Sequence, residues 1–146
     1  MARLEDKLRS EIVRLLAPLL AFPVENSVGT PGVPDICCVA GWIEMKIAKQ
    51  PRLTSTIVDI EVRPAQRIWM RNWCKAGGPG WYLTKMGTLW MLHEGGWGSE
   101  NLGRVTQNSL IHRSNLVRHE SGLPDADSLI RALMFSNTAT IKGNYR

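Results

Sequence analysis

The feature that most constrains the fold is a short apolar run that contains two acidic residues and a lysine. It extends from Gly32 to Lys46 and reads GVPDICCVAGWIEMK. Ionised side chains in apolar surroundings are costly unless they are paired or bound to a metal. Two stretches rich in Val, Ile and Trp lie on either side of Ala40-Gly41, and this pattern predicts a β-hairpin.

A two-residue turn at Ala40-Gly41 decides which side chains share a face of this hairpin. It places Asp35 opposite Lys46 and Cys37 opposite Glu44, and side chains alternate between faces along a strand. These four side chains therefore lie on one face and form a small charged patch. The other face carries the apolar side chains, which are Ile36, Cys38, Ile43 and Met45. We expect that face to join the core.

The charged face has the composition of a metal site for phosphodiester hydrolysis. Asp35 and Glu44 supply hard oxygen ligands, which suit Mg²⁺ or Mn²⁺ better than zinc or copper. A water on such a metal becomes a nucleophile near neutral pH, and the metal stabilises charge on phosphorus. Lys46 can orient that water or neutralise the transition state, and the backbone carbonyl of Met45 is a further candidate ligand. The alternative is a structural ion-pair network on the sheet.

The remaining elements follow from hydrophobic periodicity and from the positions of Gly and Pro. They are a helix over 3–20, a second helix over 64–75, strands over 80–84 and 88–93, and a helix over about 124–135. Residues 49–62 are ambiguous and could form a flexible flap, residues 94–122 allow no clear prediction, and residues 136–146 look like a loose tail. The order predicts a single α/β domain over residues 1–146, with a mixed β-sheet core flanked by helices.

The second predicted helix carries two different stripes. Gln66, Trp69 and Trp73 follow helical spacing, and packing of the tryptophans into the core would turn Gln66 toward the charged patch. The other stripe is basic and belongs to a segment without acids between residues 61 and 94, in a chain of net charge +5. Such a surface is typical of nucleic-acid binding, although a solvated helix face is the alternative. The candidate nucleic-acid-binding residues are Arg63, Arg67, Arg71, Lys75 and Lys49.

Targeting signals are missing from the sequence. No stretch approaches the roughly 18 uncharged apolar residues of a membrane span, and the charged N-terminus is unlike a signal peptide. Three cysteines, two of them adjacent, fit neither a disulfide framework nor a zinc site. We therefore expect a cytoplasmic protein, encoded by a bacterium or a phage, that does not bind membranes.

Taken together, these motifs resemble the PD-(D/E)XK nuclease superfamily, and within it the VRR-NUC and Holliday-junction-resolvase-like branch. The shared features, in chain order, are a helix beginning EDKLRSEI, a loop ending GVPD, the strand IEMK, a helix with Gln66 ahead of Trp69, and the strand GWYL. The resemblance covers about residues 4–92. Residues 93–146 form an extension outside it.

The resemblance implies a restriction-endonuclease-like fold whose metal is bound by Asp35 and Glu44. It also implies a metal-binding acid on the first helix, for which Glu5 matches best and Glu11 is the alternative. Gln66 matches the family's glutamine, which lies near the metal and the scissile phosphate. The candidate catalytic residues are Asp35, Glu44, Lys46, Gln66 and Glu5.

The function expected from these residues is a Mg²⁺-dependent endonuclease acting on DNA, with Mn²⁺ able to substitute. We expect structure-selective cleavage of branched or Holliday-junction DNA. Two symmetric nicks suit a homodimer, with the region after residue 93 as a candidate dimer contact. The alternatives are a general DNA-degrading or nicking nuclease, and a non-catalytic nucleic-acid-binding or interaction protein on the same fold.

Overall fold

The computed structural model of the protein describes the backbone of residues 2–24, 30–119 and 122–144, and the side chains of 4–24, 30–116 and 122–135. Its helices are α1 (Ala2–Leu15), a short 3-10 helix (Ala17–Leu19), α2 (Pro64–Lys75), α3 (Gly95–Asn101), α4 (Gln107–Arg113) and α5 (Ala126–Asn144). Its strands are β1 (Phe22–Pro23), β2 (Ile36–Cys38), β3 (Gly41–Ala48), β4 (Gly80–Met86), β5 (Leu89–Glu94) and β6 (Val117–His119).

The described strands form one mixed sheet in the order β1-β2-β3-β4-β5-β6. Strands β3 and β4 are parallel, whereas each of the other neighbouring pairs is antiparallel. A parallel pair requires a crossover connection, and α2 supplies it between β3 and β4. The predicted α/β class with a mixed sheet and flanking helices is confirmed.

The β2–β3 hairpin turns one residue earlier than predicted. Ile36 pairs with Ile43 and Cys38 pairs with Gly41, so the turn lies at Val39-Ala40 rather than at Ala40-Gly41. Gly41 belongs to β3, has φ +120°, and approaches Pro79 so closely that a Cβ would overlap its carbonyl group. Each β2 residue therefore pairs with the β3 residue two positions before the predicted partner. Because side chains alternate with a period of two, the faces stay as predicted.

The sheet separates two apolar cores. The first lies against α1 and α5 and contains Leu8, Ile12, Leu16, Ile36, Ile43, Met45, Leu129 and Leu133. The second lies against α2, α3 and α4 and contains Val58, Ile60, Val62, Met70, Tyr82, Met91, Leu102 and Leu110. The predicted apolar face of the hairpin is confirmed because its side chains are buried in the first core.

The second predicted helix is confirmed, whereas both terminal helices differ from the prediction. α2 begins at Pro64 and ends at Lys75, before the run of glycines. α1 ends at Leu15 instead of residue 20, because Pro18 cannot donate the hydrogen bond that a longer helix needs. α5 continues to Asn144 instead of ending near 135, since no proline interrupts it; the expected loose tail is wrong over residues 136–144.

Residues 49–62, which the sequence left ambiguous, pack against the second core at Val58, Ile60 and Val62, whereas residues 52–57 are exposed. Val58 and Ile60 are buried in the second core. The backbone N–H of Val58 donates to the carbonyl of Val105, and Gln107 donates to Thr56. Val58, Ile60 and Val62 are buried at every second position, as in a strand, although these residues belong to no strand of the sheet.

Two further observations concern the remaining elements. β4 ends at Met86, two residues later than predicted, so the turn to β5 lies at residues 87–88 rather than 85–87. Region 94–122, which allowed no prediction, contains α3, α4 and β6. Within the described residues, no helix is both long and apolar enough to cross a membrane.

Candidate active site

Asp35 lies immediately before β2, in a loop held between the hairpin and α2. Its Oδ2 accepts a hydrogen bond of 3.0 Å from the backbone N–H of Met45 on β3. Arg9 of α1 approaches the other oxygen, with Nη1 3.9 Å from Oδ1. The loop reaches this place because Gly32 has φ +84° and passes so close to Ala65 that a Cβ would overlap the carbonyl oxygen. A side chain at position 32 would therefore disrupt the contact between this loop and α2.

Glu44, Lys46 and Gln66 form a closed ring of polar contacts. Gln66 donates through Nε2 to Glu44 Oε2 at 2.9 Å, and Lys46 Nζ donates to Gln66 Oε1 at 2.9 Å. Lys46 Nζ also lies 3.4 Å from Glu44 Oε2. The Gln66 amide is fixed by a fourth contact, since its Oε1 accepts from the backbone N–H of Arg63 at the start of α2. The structure thus brings together three of the predicted catalytic residues.

The surroundings of Glu44 disfavour the charged form of its carboxyl group when no metal ion is bound. The residue is 4% exposed, and its Oε1 has no hydrogen-bond partner among the described residues. Burial and, to a smaller extent, the charge of Asp35 together raise the pKa of Glu44 to about 8, although Lys46 opposes both effects. A buried carboxylate beside a second carboxylate is costly unless a cation binds there.

This donor set fits a divalent cation that prefers oxygen ligands. Asp35 and Glu44 offer two carboxylates, and Glu44 Oε1 is the buried acceptor that still needs a positive partner. No group of three or more His, Cys, Asp or Glu side chains within the described residues could hold a metal. Mg²⁺ is commonly held by one or two carboxylates, with waters and phosphate oxygens completing its shell. The Met45 carbonyl stays a predicted ligand.

The first helix brings Arg9 rather than an acid to Asp35. Arg9 Nη2 forms an ion pair of 3.1 Å with Asp6, and its Nη1 faces Asp35. Glu5, one turn before Arg9, is exposed and belongs to no metal-binding group of the described side chains. Glu11 lines a groove with Leu123 on another side of α1. Of the two candidate acids, Glu5 is therefore the one on the side of α1 that faces Asp35.

The predicted basic stripe on α2 is divided by the structure. Arg67 donates to the carbonyl of Ser99 at 3.0 Å and to that of Leu102 at 2.7 Å, and so connects α2 to the end of α3. Burial lowers the pKa of Arg67, and the nearby Arg104 lowers it further. The other candidate nucleic-acid-binding residues are exposed, namely Arg63, Arg71, Lys75 and Lys49. Nucleic-acid binding by all five stays a prediction.

Trp69 and Trp73 of α2 form a half-buried cluster with Trp42 of β3. Trp69 and Trp73 stack at 5.4 Å, and the edge of Trp42 packs against Trp69 at 5.4 Å. Trp69 and Trp73 were predicted to pack into the core, but they are only half-buried. Met70 is the α2 residue that is fully buried. The cluster still sets the rotation of α2 that turns Gln66 toward β3, as the spacing predicted.

A row of buried polar side chains crosses the sheet next to Glu44 and was not predicted. Glu44 pairs with Tyr82 on β4 and Tyr82 pairs with His93 on β5, while Lys46 pairs with Thr84. Among the described residues, the Tyr82 hydroxyl, Thr84 Oγ1 and His93 Nδ1 have no hydrogen-bond partner. Burial is the main reason that the pKa of Tyr82 is raised and that of His93 is lowered to about 4. Strand alternation alone assigns Tyr82 to one face of β4. Only the register between β3 and β4 places it beside Glu44.

The site therefore consists of Asp35, Glu44, Lys46 and Gln66, which come from three separate elements. Comparisons with protein-family models, curated proteins and solved structures find no match for the chain. A functional proposal must accordingly depend on the chemistry of these side chains and on the sequence resemblance.

Proposed function

We propose that the protein is a metal-dependent endonuclease of the PD-(D/E)XK type, which hydrolyses phosphodiester bonds in DNA. The single observation that carries the proposal is the buried Glu44 carboxylate. One of its oxygens has no partner among the described residues, although Asp35 lies beside it, and the other is held by Gln66 and Lys46. An arrangement of this kind stores unfavourable electrostatic energy that a divalent cation would relieve.

Each residue has a distinct role in this proposal. Asp35 and Glu44 would hold Mg²⁺ or Mn²⁺, which supplies a nucleophilic water near neutral pH and stabilises charge on phosphorus. Lys46 presents Nζ next to Glu44, where it can donate to the attacking water or to a phosphate oxygen. Gln66 holds Lys46 and Glu44 in fixed orientations because its amide donates to one and accepts from the other.

The fold supports the same assignment. A helix precedes the hairpin, and α2 then connects β3 to the parallel strand β4. This order agrees with the restriction-endonuclease-like fold that the sequence resemblance implies. It places the two acids and the lysine on the hairpin and the glutamine on the crossover helix, so residues distant along the chain share one site.

The substrate proposal follows from the charges around the site. Arg63 immediately precedes α2 and its backbone N–H contacts Gln66, Lys49 follows the end of β3, and both side chains are exposed. Contacts of such residues with phosphates would position DNA without reading its sequence. We further propose selectivity for branched DNA and action as a homodimer, since resolution of a junction requires two symmetric cuts.

The test is a cleavage assay on supercoiled plasmid, linear duplex and a four-way junction, in Mg²⁺, Mn²⁺ or EDTA. We expect cleavage of the junction that depends on the metal and falls by about 100-fold or more in Asp35→Asn and Lys46→Met. Glu61→Gln and Lys7→Met, which remove exposed charges elsewhere, should cut like the wild type. Absence of cleavage in both metals would refute the enzyme, and equal cutting of all three DNAs would refute the selectivity.

A further inference from the structure

A groove of about 840 Å³ opens at the end of β3, the strand that carries Glu44 and Lys46. It begins at Ile47, the residue after Lys46, and lies between the end of β3 and the segment of residues 50–59. A nucleic-acid strand bound at Lys46 would need to follow β3 for only about 10 Å to reach Lys49 in the groove lining.

The groove combines apolar contact surfaces with positive charge. Leu53 and Ile57 are 65% and 58% exposed, although both are large aliphatic side chains. Lys49 and Arg52 are exposed on the same lining, and Asp59 is the one acid among the described lining residues. Apolar surfaces suit the faces of nucleobases, and the two cations suit the phosphates that connect them.

A buried glutamine fixes the backbone that carries Leu53, one of the two exposed apolar residues. Gln107 on α4 is 3% exposed, and its Nε2 donates to the carbonyls of Pro51 at 3.0 Å and Leu53 at 3.2 Å. Its Oε1 accepts a hydrogen bond of 2.9 Å from Gln50. The backbone around Leu53 is therefore fixed from the protein interior, while the side chain stays in solvent. A preorganised apolar surface of this kind favours binding because little ordering is needed.

We propose that this groove binds unpaired nucleotides of the DNA strand that is cut at the neighbouring site. The inference rests on the proposed nuclease function and deepens it, since it names the feature of the substrate that is recognised. Bases within a duplex present only their edges to a protein, in the grooves. The faces of bases become available to Leu53 and Ile57 only where nucleotides are unpaired, as at a gap, a flap or an open junction.

The test is a binding measurement that does not require cleavage. Fluorescence anisotropy in Ca²⁺ compares a duplex containing a short single-stranded gap with an intact duplex of the same sequence. The double variant Leu53→Ser/Ile57→Ser should bind the gapped DNA about tenfold more weakly and the intact duplex nearly unchanged. Val39→Ser is the control because Val39 is 63% exposed and lies in the turn before Gly41, at the end of β3 away from the groove.

Each outcome separates this inference from the proposed function. An equal loss of affinity for both DNAs, or no loss for gapped DNA, would overturn the inference even if the wild type cuts junctions in Mg²⁺. A selective loss for gapped DNA would support it even if no cleavage were seen. A second variant, Lys49→Ala/Arg52→Ala, should weaken binding to gapped DNA, and thermal melting of each variant establishes that it is folded.

Discussion

Replacement of Glu44 with glutamine should stabilise the protein in the absence of metal. Glu44 is buried beside Asp35, and its Oε1 lacks a partner among the described residues. Glutamine has nearly the same shape but no charge. Its carbonyl can still accept from Gln66, and its amide can donate to the carboxylate of Asp35, as a protonated glutamate would. We therefore expect the free energy of unfolding to rise.

The size of the effect follows from the pKa of Glu44. Burial first, and then the charge of Asp35, raise this pKa from its ordinary value of 4.5 to about 8. Between these two pH values the folded state holds a proton that the unfolded state has released, so stability is present at low pH and falls as the pH rises. At about 1.4 kcal/mol per pH unit, the loss reaches about 3 kcal/mol at pH 7.

Urea unfolding in EDTA over a series of pH values measures this loss directly. Glu44→Gln should be more stable than the wild type by about 1 kcal/mol at pH 5 and by about 3 kcal/mol at pH 7. Glu61→Gln, which removes an exposed carboxylate, should show no such trend. Mg²⁺ should stabilise the wild type by about 2.7 kcal/mol at 100 times its Kd, and should leave Glu44→Gln almost unaffected.

Two results would refute this reasoning. If Glu44→Gln is less stable than the wild type at pH 7 in EDTA, the Glu44 carboxylate has favourable partners and the site does not need a cation. If the difference between the two proteins is the same at every pH, Glu44 does not titrate as its burial requires.

Three further variants, together with one control variant, test other parts of the structure by urea unfolding. Gly32→Ala should lower the free energy of unfolding by about 2 kcal/mol, because its positive φ and the overlap with Ala65 both disfavour a side chain; an unchanged stability would contradict that packing. Arg67→Met should lower the free energy of unfolding by about 2 kcal/mol because two carbonyls lose a charged donor. Arg71→Met, the control, should have no measurable effect. Equal effects of the two substitutions would refute the structural role of Arg67. Tyr82→Phe should stabilise the protein by about 1 kcal/mol, and a loss would show that the hydroxyl has a partner.

The sequence alone determined the features that depend on neighbouring residues. Alternation of side chains separated the charged from the apolar face of the hairpin. This assignment of faces is correct although the turn was predicted one residue too late. Pro64 and the glycines after Lys75 determined the bounds of α2. Helical spacing then turned Gln66 toward β3, where it contacts Glu44.

The tertiary structure decided the features that depend on contacts between distant residues. Gly41 is a strand residue because Pro79 approaches it, so the turn could not be placed from the hairpin alone. Arg67 looked like one member of a basic stripe, yet the end of α3 supplies two carbonyls that turn its side chain inward. Gln107 is distant along the chain, yet it donates to the carbonyls of Pro51 and Leu53 in the groove lining. Hydrophobic periodicity can be read from residues that are close in the sequence. The hydrogen-bond partners of polar groups, in contrast, depend on which distant residues pack around them and exclude water.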